Sequence, residues 1–319
     1  MTAAEARGRG QHRAFTFLVN PNSGGGAAPK VVVPLARRLR EAGADVEVSY
    51  TSSPAVVPDL VRVAVAADRV VVSVGGDGML SSVAGAVVDA GGELAVVPAG
   101  RGNDFARMLE VPADEAAQAA LLLDGVPTPV DLLSVTQSGR SPLMVAGSVY
   151  AGVDARVAQI VDRSHWLPKA LQYPLASVRG LATYRPLDIT VAVEGADGVV
   201  RSEHRAANVV IANSRFYGKG MAIAPDASVT DGELDVVVIE AAGRLDLIRS
   251  LPKVYDGRHV ALDEVSVRRG TRVTVTGSYS GTGAPVPVGA DGEALGDLPA
   301  AGSDPLVVEL RPGAIKILR

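Results

Sequence analysis

At 319 residues, with 47% hydrophobic and 21% charged residues, the chain has the balance of a folded protein and exceeds one ordinary domain, so two lobes are expected. A net charge of −4 speaks against broad phosphate-backbone binding, and so against nucleic acid as a partner. With no cysteine, disulfides, thiolate nucleophiles and Cys-bearing metal sites are excluded, and the four histidines at 12, 165, 204 and 259 are too scattered for a zinc cluster.

Residues 1–13 carry Arg7, Arg9 and Arg13 without an apolar run behind them, the pattern of a flexible tail rather than a secretory signal, and a cytoplasmic chain is expected. No stretch reaches the roughly 18 to 20 apolar residues needed to span a bilayer, so any membrane contact must be peripheral. From 14 to 130, short Val-rich runs at 15–19, 46–50, 70–74 and 94–98 alternate with amphipathic segments, one between the first two runs and others near 55–67 and 79–90. That alternation predicts βαβ units around a parallel sheet. Leu35, Ala36 and Leu39 share one helical face, opposite Arg37, Arg38 and Glu41, and Gly43 fits a C-cap.

After Val126-Pro127-Thr128-Pro129 the texture changes. Short runs at 188–193, 208–212, 234–239 and 272–276, separated by Gly, Asp and Pro, predict a β-sandwich over 131–304. A helical insertion near 154–183 interrupts it, holding Trp166, Leu167 and Tyr173 with breaks at Pro168 and Pro174. Over 156–186 five Lys or Arg stand against one Asp, which is either a solvated face or a patch for anionic lipid. The last strands, within 305–319, are expected to return to the first lobe.

Three loops follow predicted strands, where open α/β sheets bind ligands. After 70–74 comes Gly75-Gly76-Asp77-Gly78 and a helix opening at Met79. Glycines admit phosphate oxygens close to the backbone and the helix start favours an anion, but Asp77 would repel bare phosphate unless a cation such as Mg²⁺ lies between. The second loop, Asn20-Pro21-Asn22-Ser23-Gly24-Gly25-Gly26, offers amide and hydroxyl donors, yet lacks both the P-loop ending and the spaced glycines of a dinucleotide fingerprint. The third runs from Pro98-Ala99-Gly100-Arg101-Gly102 into Asn103-Asp104-Phe105-Ala106-Arg107. Each alone also reads as a flexible turn.

Together these loops resemble the diacylglycerol kinase catalytic domain family, which includes bacterial soluble enzymes and kinases of sphingosine and ceramide. In the second lobe the resemblance rests on Gly152-Val153-Asp154-Ala155, Asn213 with Tyr217-Gly218-Lys219-Gly220, Pro225 through Asp231-Gly232, and Asp291-Gly292-Glu293. It implies an N-terminal α/β nucleotide-binding lobe of NAD kinase or phosphofructokinase type, a C-terminal β-sandwich lobe for the lipid, and an active site in the cleft between them. It further implies ATP along Asn20, Asn22, Ser23, Gly24, Gly25, Thr51, Gly75, Gly76, Asp77, Gly78, Met79, Leu80 and Ser81, with Arg101, Asn103 and Asp104 nearby. Mg²⁺ would be placed by Asp77 and Asp104 through water, a second structural Mg²⁺ by Ser228, Asp231 and the carbonyl of Glu233, and Glu293 would be the general base.

Read alone, Asp291-Gly292-Glu293 is first a hairpin turn, and Asp231-Gly232-Glu233 invites the same caution. The sequence departs from the family where Met79 and Arg101 replace usual threonines, and Arg101 could offer a guanidinium to phosphate instead. The substrate implied is a lipid alcohol met at the membrane surface, diacylglycerol by default. A homodimer is compatible with the sequence and not specified by it. The alternatives are an NAD kinase-like enzyme, against which the 103–107 element speaks, and a non-catalytic nucleotide-binding regulator.

Overall fold

The computed structural model describes residues 13–51, 53–162, 179–180 and 183–319. Most of the predicted tail, and Trp166, Leu167 and Tyr173 of the predicted insertion, lie outside them. The chain divides into two compact units, the first running to Val130 and taking in Ile315–Arg319, the second spanning Asp131–Ala314.

In the first unit β1 (Ala14–Val19), α1 (Ala28–Glu41), β2 (Asp45–Tyr50), α2 (Val57–Ala66), β3 (Val70–Gly75), α3 (Asp77–Ala90) and β4 (Glu93–Pro98) alternate, followed by α4 (Asp104–Met108) and α5 (Glu115–Asp124). β3 is buried along its whole length, which explains why its sequence is apolar on both faces apart from Ser73 rather than alternating. Phe15, Phe17, Val72, Val74 and Val97 from the sheet pack against Val32, Leu35, Ala36 and Leu39 of α1. Gly43 takes a φ of 90° just after α1, the left-handed geometry of a helix stop. Arg13, the first described residue, donates to the carbonyls of Leu122 (2.7 Å) and Gly125 (2.6 Å) at the end of α5.

The strands pair in parallel in the order β2-β1-β3-β4. The direction of winding therefore reverses between β1 and β3, and their carboxyl ends flank the crevice where such sheets bind ligands. Those ends carry the first two glycine loops.

The second unit begins within β5 (Pro127–Thr136) and continues through β6 (Leu143–Val145), β7 (Ser148–Gly152), α6 (Val153–Asp162), β8 (Leu187–Gly195), β9 (Gly198–Ala212), β10 (Leu234–Glu240), α7 (Arg244–Tyr255), β11 (Val265–Gly270), β12 (Arg272–Tyr279), β13 (Pro287–Ala290), β14 (Glu293–Asp297) and β15 (Leu306–Leu318). Antiparallel pairing runs β14-β13-β7-β9-β8-β12, with β10 on β9 and β11 on β10. The interior is aliphatic, including Leu133, Val149, Ile189, Ile211, Val236, Val275 and Val308.

The segment 305–319, expected to return to the first lobe, is divided between the two units. Lys316 and Ile317 pair in parallel with Glu93 and Leu94, but Leu306 to Glu309 pair antiparallel with β12 and stay in the second unit.

Asp131, 3% exposed on β5, pins three segments of the second unit. Its carboxylate accepts from the amides of Gly232 (2.9 Å) and Gly313 (2.7 Å), while its carbonyl accepts from Nδ2 of Asn213 (2.8 Å). Asp131→Ala removes the acceptor of these two part-buried contacts and is expected to cost about 2 kcal/mol, read as a lowered urea midpoint.

Candidate functional site

The three glycine loops of the first unit meet. A Cβ at Gly100 would lie 2.4 Å from Cα of Gly76, and one at Gly24 would lie 2.5 Å from the carbonyl oxygen of Ala99. One at Gly75 would stand 3.2 Å from Oγ of Ser23 and 3.0 Å from Sδ of Met79, so the thioether covers the end of β3. The amide of Ala99 donates to Gly75 O (2.9 Å) and that of Asn20 to Val74 O (3.2 Å). Backbone rather than side chain is thus what these loops present to one another.

The third loop is held by Asn103, whose φ of 54° is left-handed and whose side chain pairs with both backbone groups of Gly100, accepting from N (2.8 Å) and donating to O (3.2 Å). This turn starts α4, and the amide of Phe105 donates to Oδ1 of Asp77 (3.0 Å). Asp77 is itself the first residue of α3, two residues earlier than the predicted opening at Met79, so its charge stands at the positive end of that helix. A Cβ on Gly102 would meet Oδ2 of Asp77 at 3.1 Å and Oδ2 of Asp104 at 3.3 Å. Two carboxylates therefore face one space left open by a missing side chain, a donor set that fits a hydrated divalent cation. Asp104 is also ion-paired with Arg107 at 2.8 Å.

Not every residue expected along a nucleotide is presented. Leu80 and Ser81 are buried in α3, and the amide of Leu80 already donates to Gly76 O. Thr51 gives both its amide (2.9 Å) and its hydroxyl (3.2 Å) to Val19 O, tying β2 to β1. Asn20 accepts from the amide of Asn22 (3.0 Å), shaping the 20–26 loop. Asn22, Gly24, Gly25 and Arg101 are exposed, and Ser23, Gly76, Asp77, Gly78 and Met79 half-buried.

In the second unit Asp291 and Gly292 have φ of 45° and 88°, the left-handed pair of a two-residue hairpin turn joining β13 and β14. Asp291 clamps the chain before β7. Its carboxylate accepts from the amides of Ala146 (3.0 Å), Gly147 (3.1 Å) and Ser148 (2.9 Å). Glu293 follows, exposed at the mouth of the turn. On the other face of β7, Tyr217 Oη donates to Asp154 (2.5 Å), as does Asn208, and burial pushes the Asp154 carboxyl up against their opposing pull. Sequence reasoning gave these residues no site role, because their meeting depends on β7 pairing with β9.

The expected structural-metal set fits a cation poorly. Asp231 is ion-paired with Arg269 and accepts from the amide of Glu233 (3.1 Å), while Glu233 is 3.0 Å from the same guanidinium. Ser228 Oγ instead faces Thr230 Oγ1 at 3.3 Å. Among the described residues no three Asp, Glu or His side chains gather as ligands. The guanidinium already supplies the positive charge. Burial and the nearby carboxylates still hold Asp235 up at about 6, Arg269 opposing them. Arg269→Ala is expected to lower stability by about 1 kcal/mol, since the pair is partly exposed, whereas chelating divalent ions should leave the nucleotide-free melting temperature unchanged. Differential scanning fluorimetry with and without EDTA checks both.

A family model described as the diacylglycerol kinase catalytic domain matches residues 14–135, and one described as the YegS C-terminal NAD kinase beta sandwich-like domain matches 147–319. A diacylglycerol kinase of Mycobacterium tuberculosis is 31% identical, with 100% of this chain and 99% of that protein covered. A diacylglycerol kinase of Bacillus subtilis is 27% identical over 65% of this chain and 64% of its own length. The crystal structure of a diacylglycerol kinase from Bacillus anthracis shares the fold, with a TM-score of 0.66 at 17% identity over 97% of each chain. Matched along both units and by a full-length relative, the chain belongs to the diacylglycerol kinase family and is a lipid kinase.

Proposed function

We propose that this lipid kinase transfers the γ-phosphoryl group of ATP, with Mg²⁺, to the free hydroxyl of diacylglycerol, giving phosphatidic acid. The observation that carries the reading is the meeting of three glycine loops beside Asp77 and Asp104, whose Oδ2 atoms face the open space at Gly102. Amides at the start of α3 would take the triphosphate, since those of Asn22, Ser23, Gly25 and Gly26 already donate within their own loop, and Arg101 stands exposed for a further phosphate contact. Mg²⁺ held by Asp77 and Asp104 through water would offset negative charge on the phosphoryl oxygens.

The second unit takes the lipid in this reading. Glu293 accepts the hydroxyl proton while the substrate oxygen bonds to phosphorus and the bond to the departing ADP oxygen breaks. Asp291 fixes the hairpin that carries Glu293, so the two acids of one triplet have separate tasks, clamp and base. Contact with the membrane is peripheral, and no helix among the described residues is long and apolar enough to cross one.

The roles separate by experiment. Glu293→Gln is expected to lower kcat at least a thousandfold, at the upper end of general-base effects, with ATP affinity unchanged. Gly100→Ala, which drives a Cβ into Gly76, is expected to weaken ATP binding about tenfold or more by calorimetry. Labelled ATP, Mg²⁺ and a lipid extract should yield labelled phosphatidic acid. Label on a nicotinamide nucleotide instead, or full activity in Glu293→Gln, rejects the assignment.

A further inference from the structure

α7 carries an apolar stripe that no other described residue covers. Leu245, Ile248, Leu251 and Tyr255 recur at spacings of three, three and four, and are 67%, 47%, 46% and 51% exposed. Single exposed aliphatics are ordinary on a soluble protein, but four along one helix face form a contiguous patch. The helix has one fully buried residue, Val254, which joins the cluster of Tyr150 and Tyr217. That attachment seats α7 on a cluster drawn from β7, β9 and β10, and β7 pairs with β13 and so with the Glu293 hairpin.

The charge around the stripe selects its partner. Arg249 and Lys253 follow Leu245 at intervals of four and run up one shoulder of the stripe, and Arg244 opens the helix. Across 244–258 four cations stand against two carboxylates, and with Arg249 paired to Asp246 and Arg258 to Asp256 the segment keeps the net positive charge of Arg244 and Lys253, in a chain whose net charge is −4. A second copy of the chain docked here about a two-fold axis would bring two net-positive patches together. An anionic bilayer satisfies both features, since acyl chains take the stripe and head groups take the cations.

We propose that α7 is a membrane-docking helix that lies on anionic lipid and sets the second unit on the surface holding its substrate. The proposal rests on the lipid-kinase reading for its purpose, though not for its test. Purified full-length protein is sedimented with vesicles of phosphatidylcholine alone and of phosphatidylcholine with phosphatidylglycerol. The wild type is expected to pellet with the anionic vesicles and far less with the neutral ones, more weakly as salt is raised. Leu245→Ser, Ile248→Ser and Leu251→Ser combined should abolish the binding, and Arg244→Gln, Arg249→Gln and Lys253→Gln combined should weaken it about a hundredfold.

Both triple variants should phosphorylate a short-chain diacylglycerol dissolved in water at the wild-type rate, which shows that they are folded. Vesicle binding unaffected by the serine variant overturns the proposal. So does a wild type that ignores vesicles and is a dimer which the serine variant dissociates. Vesicle binding by a wild type that phosphorylates no lipid would leave the docking helix standing and remove the lipid-kinase reading.

Discussion

Three turns of backbone can share one place only where side chains are missing, and that constraint organises the first unit. Gly100 sits against Gly76, and Gly24 against Ala99, at distances that no Cβ tolerates. The sheet order makes the meeting unavoidable, because β1 and β3 are neighbours wound in opposite directions and both end at the same edge. Asn103 supplies the left-handed turn that holds the third loop in place. On the proposed reading, phosphate would be held by backbone amides at the start of α3, so the Gly-Lys-Ser ending of other phosphate loops is not required.

The second unit uses acids in a different way. Asp131 and Asp291 each gather backbone amides from distant segments, so two buried or half-buried charges act as fasteners rather than as reactive groups. A carboxylate so placed is stabilised by several donors at once, and the segments it joins cannot drift apart without breaking those bonds. This is why the two Asp-Gly-Glu triplets, alike in sequence, differ in use. Asp291 clamps the approach to β7 and leaves Glu293 exposed, while Asp231 and Glu233 are occupied by Arg269.

Most of the first unit was legible from sequence. The runs at 15–19, 46–50, 70–74 and 94–98 fall within β1 to β4, because continuous Val-rich segments bounded by glycine have few other uses. The opening of α3 was misplaced by two residues, since Gly76 as N-cap and Asp77 as first residue offer weaker signals than the apolar period that starts at Met79. Motif spacing also identified the loops but not which members are presented. Thr51, Leu80 and Ser81 look like hydroxyl-bearing or neighbouring contacts, yet their donors or side chains are engaged within the protein. Arg269 escaped entirely, because its pairing with the 231–235 acids exists only once β11 lies antiparallel to β10 and sets it opposite Asp235.

That last pairing bears on how the molecule can use divalent ions. A bound metal must be found in solution and leaves when its concentration falls, so a fold that needs one is stable only above that concentration. A guanidinium on a neighbouring strand is present whenever the strand is formed, stays charged at every pH the fold survives, and reaches several carboxylates from one planar fork. With Arg269 in that position the acids of 231–235 have a counter-charge whose supply does not depend on Mg²⁺. On the proposed reading, the ion requirement is then confined to Asp77 and Asp104, where the cation enters with the nucleotide and departs with the product. Magnesium would govern turnover in this chain and leave its folding alone.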